Sequence, residues 1–176
     1  MREKLKIHLV IVLLSTSLCL VDCGYNLRGT GSSLPEHIKS IAIPMFKNST
    51  TRYQLDLKLT QSVIDEMVSR GKVELSQDMG ASNAVLMGEI VAFNANPIGF
   101  SAQSATADRY SITVVAKVTL RDLTKKKVIY ANSSFVFQGE YEVPEGADFE
   151  SRESEAIDEI AERFARSLVS QILEGF

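Results

Sequence analysis

Between Arg109 and Asp122 the chain alternates without a break. Tyr110, Ile112, Val114, Ala116, Val118 and Leu120 fall on one side, and Ser111, Thr113, Val115, Lys117, Thr119 and Arg121 on the other. Side chains of an extended strand point to opposite faces at every step. Such a segment is therefore a strand with one buried face and one wet or partner-facing side, and that buried face needs a cover. Strands are also expected over Ala84 to Asn94, ended by Pro97 and Gly99, and over Val128 to Tyr141, with Ile129, Ala131, Phe135, Phe137 and Tyr141 as one set. Lys125-Lys126-Lys127 reads as the hairpin tip between the last two strands.

The cover comes from two segments with a helical period. Leu55, Leu59, Val63 and Met67, joined by Ile64 and Val68, form one stripe between Tyr53 and Arg70, and Gly71 stands where a helix ends in a left-handed residue. Ile157, Ile160, Ala161, Phe164, Leu168, Ile172 and Leu173 form the second stripe, over about Ser151 to Leu173, closed by Gly175. A shorter strand is expected over Lys39 to Phe46, with Ile41, Ile43 and Met45 on one face and Pro44 marking an edge. The polar Asn48–Thr51 loop offers helix caps, and Val73 to Leu75 reads as a possible short strand. The arrangement that buries both stripes is an α+β two-layer sandwich, two helices packed on one face of a mostly antiparallel four-stranded sheet.

Ahead of this domain stands a basic start (Arg2, Lys4, Lys6) and a nearly apolar run from Ile7 to Val21. Fifteen helical residues rise about 22 Å, short of the roughly 30 Å hydrocarbon core, so the run reads as an export signal rather than a span. Leu20-Val21-Asp22-Cys23-Gly24 resembles a bacterial lipobox, although Asp22 stands where that pattern has a small residue. The resemblance implies cleavage before Cys23 and acylation of its thiol, and Gly24 leans towards the outer membrane. The expected organisation is a signal peptide over 1–22, a lipidated extended lead-in over 23–38, and a single α+β domain over 39–176.

Little in the chain suggests catalysis. It has two Cys and two His, too few for a zinc site, and it carries none of the glycine-rich phosphate loops, nucleophile elbows or paired-histidine motifs that would mark a catalytic centre. His37 sits in the lead-in without an evident carboxylate partner, and Asp65-Glu66 and Asp158-Glu159 read as solvated helix faces. A formal charge of −3 argues against nucleic acid as a partner. No enzyme activity, metal or cofactor is expected.

Cys23-Gly24-Tyr25 followed by Leu27-Arg28-Gly29 resembles the mature start of the LptE lipopolysaccharide-assembly lipoproteins. The likeness continues through Leu34-Pro35, Ile41-Ala42-Ile43-Pro44, the Leu59-to-Gly71 helix, Ala107-Asp108-Arg109-Tyr110 and the final helix to Phe176. It implies an outer-membrane lipoprotein that plugs and helps assemble the LptD β-barrel and contacts lipopolysaccharide, without turnover. The Phe100-to-Ala107 loop lacks charge and the Glu140-to-Glu155 stretch is acidic, leaving Arg109, Lys117, Arg121, Lys125, Lys126 and Lys127 as the basic candidates for lipopolysaccharide contact. The short strand, helix and Val73-Glu74-Leu75 also resemble TolB-like and penicillin-binding-protein activator lipoproteins, which implies a periplasmic docking module as the alternative.

Overall fold

The computed structural model describes residues 34–101 and 107–175. In chain order the elements are β1 (Ser40–Ala42), β2 (Lys47–Asn48), α1 (Leu55–Arg70), β3 (Glu74–Ser76), β4 (Ala84–Phe100), β5 (Ala107–Asp122), β6 (Lys127–Glu142) and α2 (Phe149–Glu174). β4, β5 and β6 form an antiparallel meander, and β1 lies parallel to both β3 and β4. The path runs β3-β1-β4-β5-β6, with β2 parallel to β4 off that path. The fold is the expected two-layer α+β arrangement, with both helices against a mixed, largely antiparallel sheet. The sheet has six strands rather than four: the short strand expected at Val73 to Leu75 is present as β3, shifted by one residue, and β2 is a stub of two residues, too short to carry a period.

β5 follows its alternation. Ile112, Val114, Ala116, Val118 and Leu120 are all buried, and they meet Leu86 and Ile90 of β4 and the two helix stripes in one core. In α2 the buried apolar set is Ala156, Ile157, Ile160, Ala161, Phe164, Ala165, Leu168, Val169, Ile172 and Leu173. Asp148 caps that helix, its Oδ2 accepting the Ser151 N–H at 2.8 Å. The Ser151 hydroxyl and N–H hold the Asp148 carboxyl below its ordinary range.

Several local expectations are corrected. Val68 is 57% exposed, so the α1 stripe is the narrower Leu55-Leu59-Val63-Met67 line, with Thr60 buried beside it. Thr60 Oγ1 accepts the Phe46 N–H at 2.9 Å and donates to the Asp56 carbonyl, which is why a polar side chain is tolerated there. β1 stops at Ala42. Past Pro44 it is Phe46 that enters the core, while Met45 is exposed.

The Asn48–Thr51 loop caps no helix. Asn48 Oδ1 accepts from the Thr50 N–H and hydroxyl, closing a local turn, and α1 starts after Gln54 in a left-handed conformation without a side-chain cap. β4 does not end at Pro97 or Gly99 but runs on to Phe100, with register shifts at those two residues. Among the described residues the far half of β4 has no paired strand on its second side, so the missing Pro97 donor falls at an edge there. In β6 the ladder slips between the Asn132 and Phe135 pairings, which reverses the alternation. Ala131 therefore pairs on the outer side, and Tyr130 reaches α2, its hydroxyl donating to Gln171 Oε1 at 3.0 Å.

Candidate functional site

The helices cover one face of the sheet, and the other carries the odd-numbered side chains of β5. The register sets Thr113 between Asn94 and Gln138, Val115 between Ala92 and Val136, Thr119 between Met87 and Ala131, and Arg121 between Val85 and Val128. Met87, Val128 and Val136 are exposed, so the face mixes aliphatic side chains with hydroxyls and cations.

Lys117 lies opposite Glu89 on β4, with Nζ 3.7 Å from Oε2. Glu89 Oε1 also accepts from Lys47 Nζ at 3.0 Å and from Ser49 Oγ at 2.8 Å. The Lys47 and Ser49 hydrogen bonds hold the Glu89 carboxyl below its usual range, ahead of the Lys117 charge. An exposed, solvent-screened pair of this kind holds its partners weakly, so Lys117 remains available to a stronger anion.

The six candidate basic residues do not form one cluster. Arg121 precedes Asp122 at the base of the β5–β6 hairpin, and Lys125 to Lys127 make its tip, with Lys126 in a left-handed conformation at φ 54°. Lys117 lies four residues further along β5. Arg109 is at the opposite end, about 40 Å from Arg121 along the strand. There it lines a depression with Ser101, Asp108, Glu142 and Glu145, an acidic setting for a residue meant to hold an anion. Cys23 lies outside the described residues, as do residues 102–106.

Two polar pairs were not evident in the sequence. His37 is not an isolated surface residue: its Nε2 lies 2.7 Å from Asp122 Oδ2, and Asp122 Oδ1 accepts the Lys125 N–H at 2.8 Å. The partners are 85 residues apart, beyond the reach of any local pattern. Burial pushes the Asp122 carboxyl up, but the Lys125 N–H, the His37 ring and the Thr124 N–H together hold it below its ordinary value.

A depressed native carboxyl contributes stability that is complete above the unfolded value, about 3.9, and is lost as pH falls through the lower native value. Asp122→Asn should therefore flatten the acid limb of a urea-midpoint profile below about pH 4. An unchanged limb would show that the pair does not contribute to acid stability.

At the far end Arg52 Nη1 lies 2.7 Å from Glu153 Oε2, with the guanidinium 5.6 Å from the Phe93 ring centre. Glu153 is almost fully buried. Nearby, Tyr141 stacks on Tyr110 at 5.3 Å, and burial followed by the Glu153 charge pushes its phenol up to about 12. Such a phenol stays protonated, which suits packing rather than base catalysis. A groove between β1, β3 and α1, lined by Ile43, Pro44, Ile64, Leu75 and Met79, carries no charged side chain. Among the described residues no group of three or more His, Cys, Asp or Glu could hold a metal ion, and no helix is long and apolar enough to cross a membrane.

A family model described as LptE, lipopolysaccharide-assembly, matches residues 38–172. In structure the chain is similar to the hypothetical protein CT253 of Chlamydia trachomatis, at 12% identity over 78% of this chain and 96% of that one, with a TM-score of 0.52. It is also similar to XCC0632 of Xanthomonas campestris, at 10% identity over 78% and 87%, TM-score 0.53. A PelC dodecamer of Paraburkholderia phytofirmans matches at 13% identity over 82% and 95%, TM-score 0.51. At these identities the likenesses show a shared fold alone. No curated protein matches the chain significantly.

Proposed function

The chain belongs to the LptE lipopolysaccharide-assembly family, and from that premise we propose that it is an outer-membrane lipoprotein that plugs and helps assemble an LptD-type β-barrel and assists delivery of lipopolysaccharide to the cell surface. In this reading it is tethered through an acylated Cys23 and turns over no substrate. The observation that carries the proposal is the family match across 38–172, which leaves out only the first four and last three described residues. The outer sheet face is suited to the role. A barrel lumen is polar, and a plug needs a folded surface with hydroxyls and charges rather than a large apolar patch. Thr113, Lys117, Thr119 and Arg121 supply that surface, and Met87, Val128 and Val136 supply contacts for acyl chains.

Lipopolysaccharide phosphates meet Lys117 and Arg121 on this face. Arg109 and Lys125 to Lys127 complete the proposed basic set at its two ends. Cations near an anionic lipid surface contribute about 1 kcal/mol each. Lys117→Glu combined with Arg121→Glu should weaken lipopolysaccharide binding by at least tenfold while circular dichroism stays unchanged. Equal binding by the variant would remove this face from the proposal.

The test of the whole reading is a pull-down from detergent-solubilised outer membranes, combined with depletion. The expected outcome is one large β-barrel partner, a misassembled barrel on depletion and a cell surface poor in lipopolysaccharide. A normal barrel and surface, with a peptidoglycan synthase losing activity instead, would favour the activator-type docking module. Intact mass spectrometry of the mature protein checks acylation of Cys23.

A further inference from the structure

Among the described residues the sheet has open edges at the stubs β2 and β3, along the far half of β4 and along the whole of β6. An open edge presents unpaired N–H and C=O groups, and folded chains blunt such edges with short strands, prolines, bulges or charges. β2 and β3 are short, and the open half of β4 carries Pro97. β6 is sixteen residues long and has no proline. A bulge between Asn132 and Phe135 divides it. Beyond the bulge, Phe135 to Gly139 carries no charge, and Glu140 and Glu142 follow only at the end. Phe135 to Glu142 extends about 26 Å.

The direction of the backbone groups in this stretch follows from one bond. The Val143 N–H donates to the Asp108 carbonyl at 2.8 Å. The pairings Tyr141–Tyr110, Gly139–Ile112, Phe137–Val114 and Phe135–Ala116 continue that register without a break. Backbone groups alternate sides along a strand, so these residues bond β5, and Val136, Gln138 and Glu140 direct N–H and C=O away from the sheet. Among the described residues those outward groups have no hydrogen-bond partner. Gln138, Gly139 and Glu140 line an open depression at this edge with Ser111 and Arg163. Beneath it α2 fixes the strand: a Cβ on Gly139 would come within 2.8 Å of Ile160.

We propose that the Phe135–Glu142 edge of β6 pairs with a terminal strand of the β-barrel partner while that barrel is still open. The proposal rests on the barrel-assembly reading above and assigns it a surface. Pairing through the backbone at every second residue accepts an extended strand of any sequence. An uncharged edge suits the alternating apolar and polar side chains of a membrane strand, whose length of about 9–11 residues is close to that of this stretch. An unclosed barrel has two unpaired edges that are prone to aggregate, and a closed barrel has none. Closure therefore displaces β6, because the first and last barrel strands then satisfy each other. The closed barrel keeps the domain in its lumen through other surfaces, so pairing and plugging are successive states.

The test uses the full chain and the purified barrel partner, unfolded in urea and diluted into detergent micelles. Hydrogen exchange read by nuclear magnetic resonance follows single amides. In the free protein the Val136, Gln138 and Glu140 amides should exchange at least tenfold faster than those of Phe137 and Tyr141. Mixing with the unfolded barrel should slow the outward three at least fivefold, and the already closed barrel should leave them fast. Equal rates with and without the unfolded barrel overturn the proposal. Slow exchange of the outward three in the free protein, with a doubled mass in sedimentation, also overturns it and makes a second copy the occupant.

A second arm reads closure by the altered gel mobility of unheated, folded barrel. Gln138→Pro removes one outward donor and takes no bond from the β5 ladder. It should slow closure at least fivefold relative to the parent with an unchanged melting curve, whereas Gln138→Thr, which keeps the N–H, should match the parent. If the parent speeds closure and Gln138→Pro speeds it equally, only this proposal is overturned. If the parent does not speed closure at all, the assembly role proposed above falls with it.

Discussion

Phe164→Ala is expected to lower the free energy of unfolding by about 3–5 kcal/mol, the range for truncating a fully buried aromatic side chain. Phe164 has no exposed surface. It lies where α2 crosses β6, with its ring centre 5.1 Å from Phe135 at 89° and 6.3 Å from Phe137 at 82°. Those two edge-on contacts add about 0.5–1.5 kcal/mol each beyond the area buried. The neighbouring Ala161, Ala165 and Leu168 stand on a helix and can close little of the space left behind. Chemical denaturation measures the loss, and a value under about 1 kcal/mol would mean that α2 does not pack on β6 through this residue.

Gly88→Val is expected to destabilise by about 3 kcal/mol or more, at the upper end of the range for overpacking a core. A Cβ built at Gly88 comes within 2.6 Å of the Phe46 ring, which is itself buried. The ring has little freedom to withdraw, because the Phe46 N–H is held by Thr60 Oγ1 on α1. The conflict is therefore between β4 and the segment after β1, and relieving the ring should relieve the glycine. Phe46→Leu costs stability alone but should recover part of the Gly88→Val loss when combined with it. A double-mutant cycle reads the coupling, and strict additivity would show that Gly88 is small for another reason.

The difference between what was legible and what was not has one physical source. Ile112 to Leu120 and Ile157 to Leu173 could be assigned to the core from the chain alone, because periods of 2 and 3.6 are local properties. The failures fall where a local pattern is overridden by something elsewhere in the chain. Met45 and Phe46 exchanged places because Pro44 ends a strand whose continuation would have left Phe46 outside. Ala131 changed faces because a bulge at Asn132–Phe135 moved the register by one residue, and a slip of one reverses every side chain after it. Val68 lay on a plausible helical stripe, yet α1 meets its neighbours along a narrower line than the sequence could specify.

The basic candidates show the same division. Their selection as candidates came from what the family resemblance implies, applied to the basic residues of the central strand and its hairpin tip. Their grouping came from pairing: β5 against β4 set Lys117 beside Glu89, and the hairpin gathered Arg121 with Lys125 to Lys127 while leaving Arg109 among acids at the far end. His37 is the sharpest case. In the sequence it is a lone histidine after a proline, and in the fold it fastens the entering chain to Asp122, 85 residues away. By itself the sequence determined the three long strands, the two helices, most of their buried stripes, the two-layer class and the family. Tertiary structure decided which side chains of different elements became neighbours, because a ladder or a side-chain hydrogen bond forms between segments whose spacing along the chain carries no signal of their meeting.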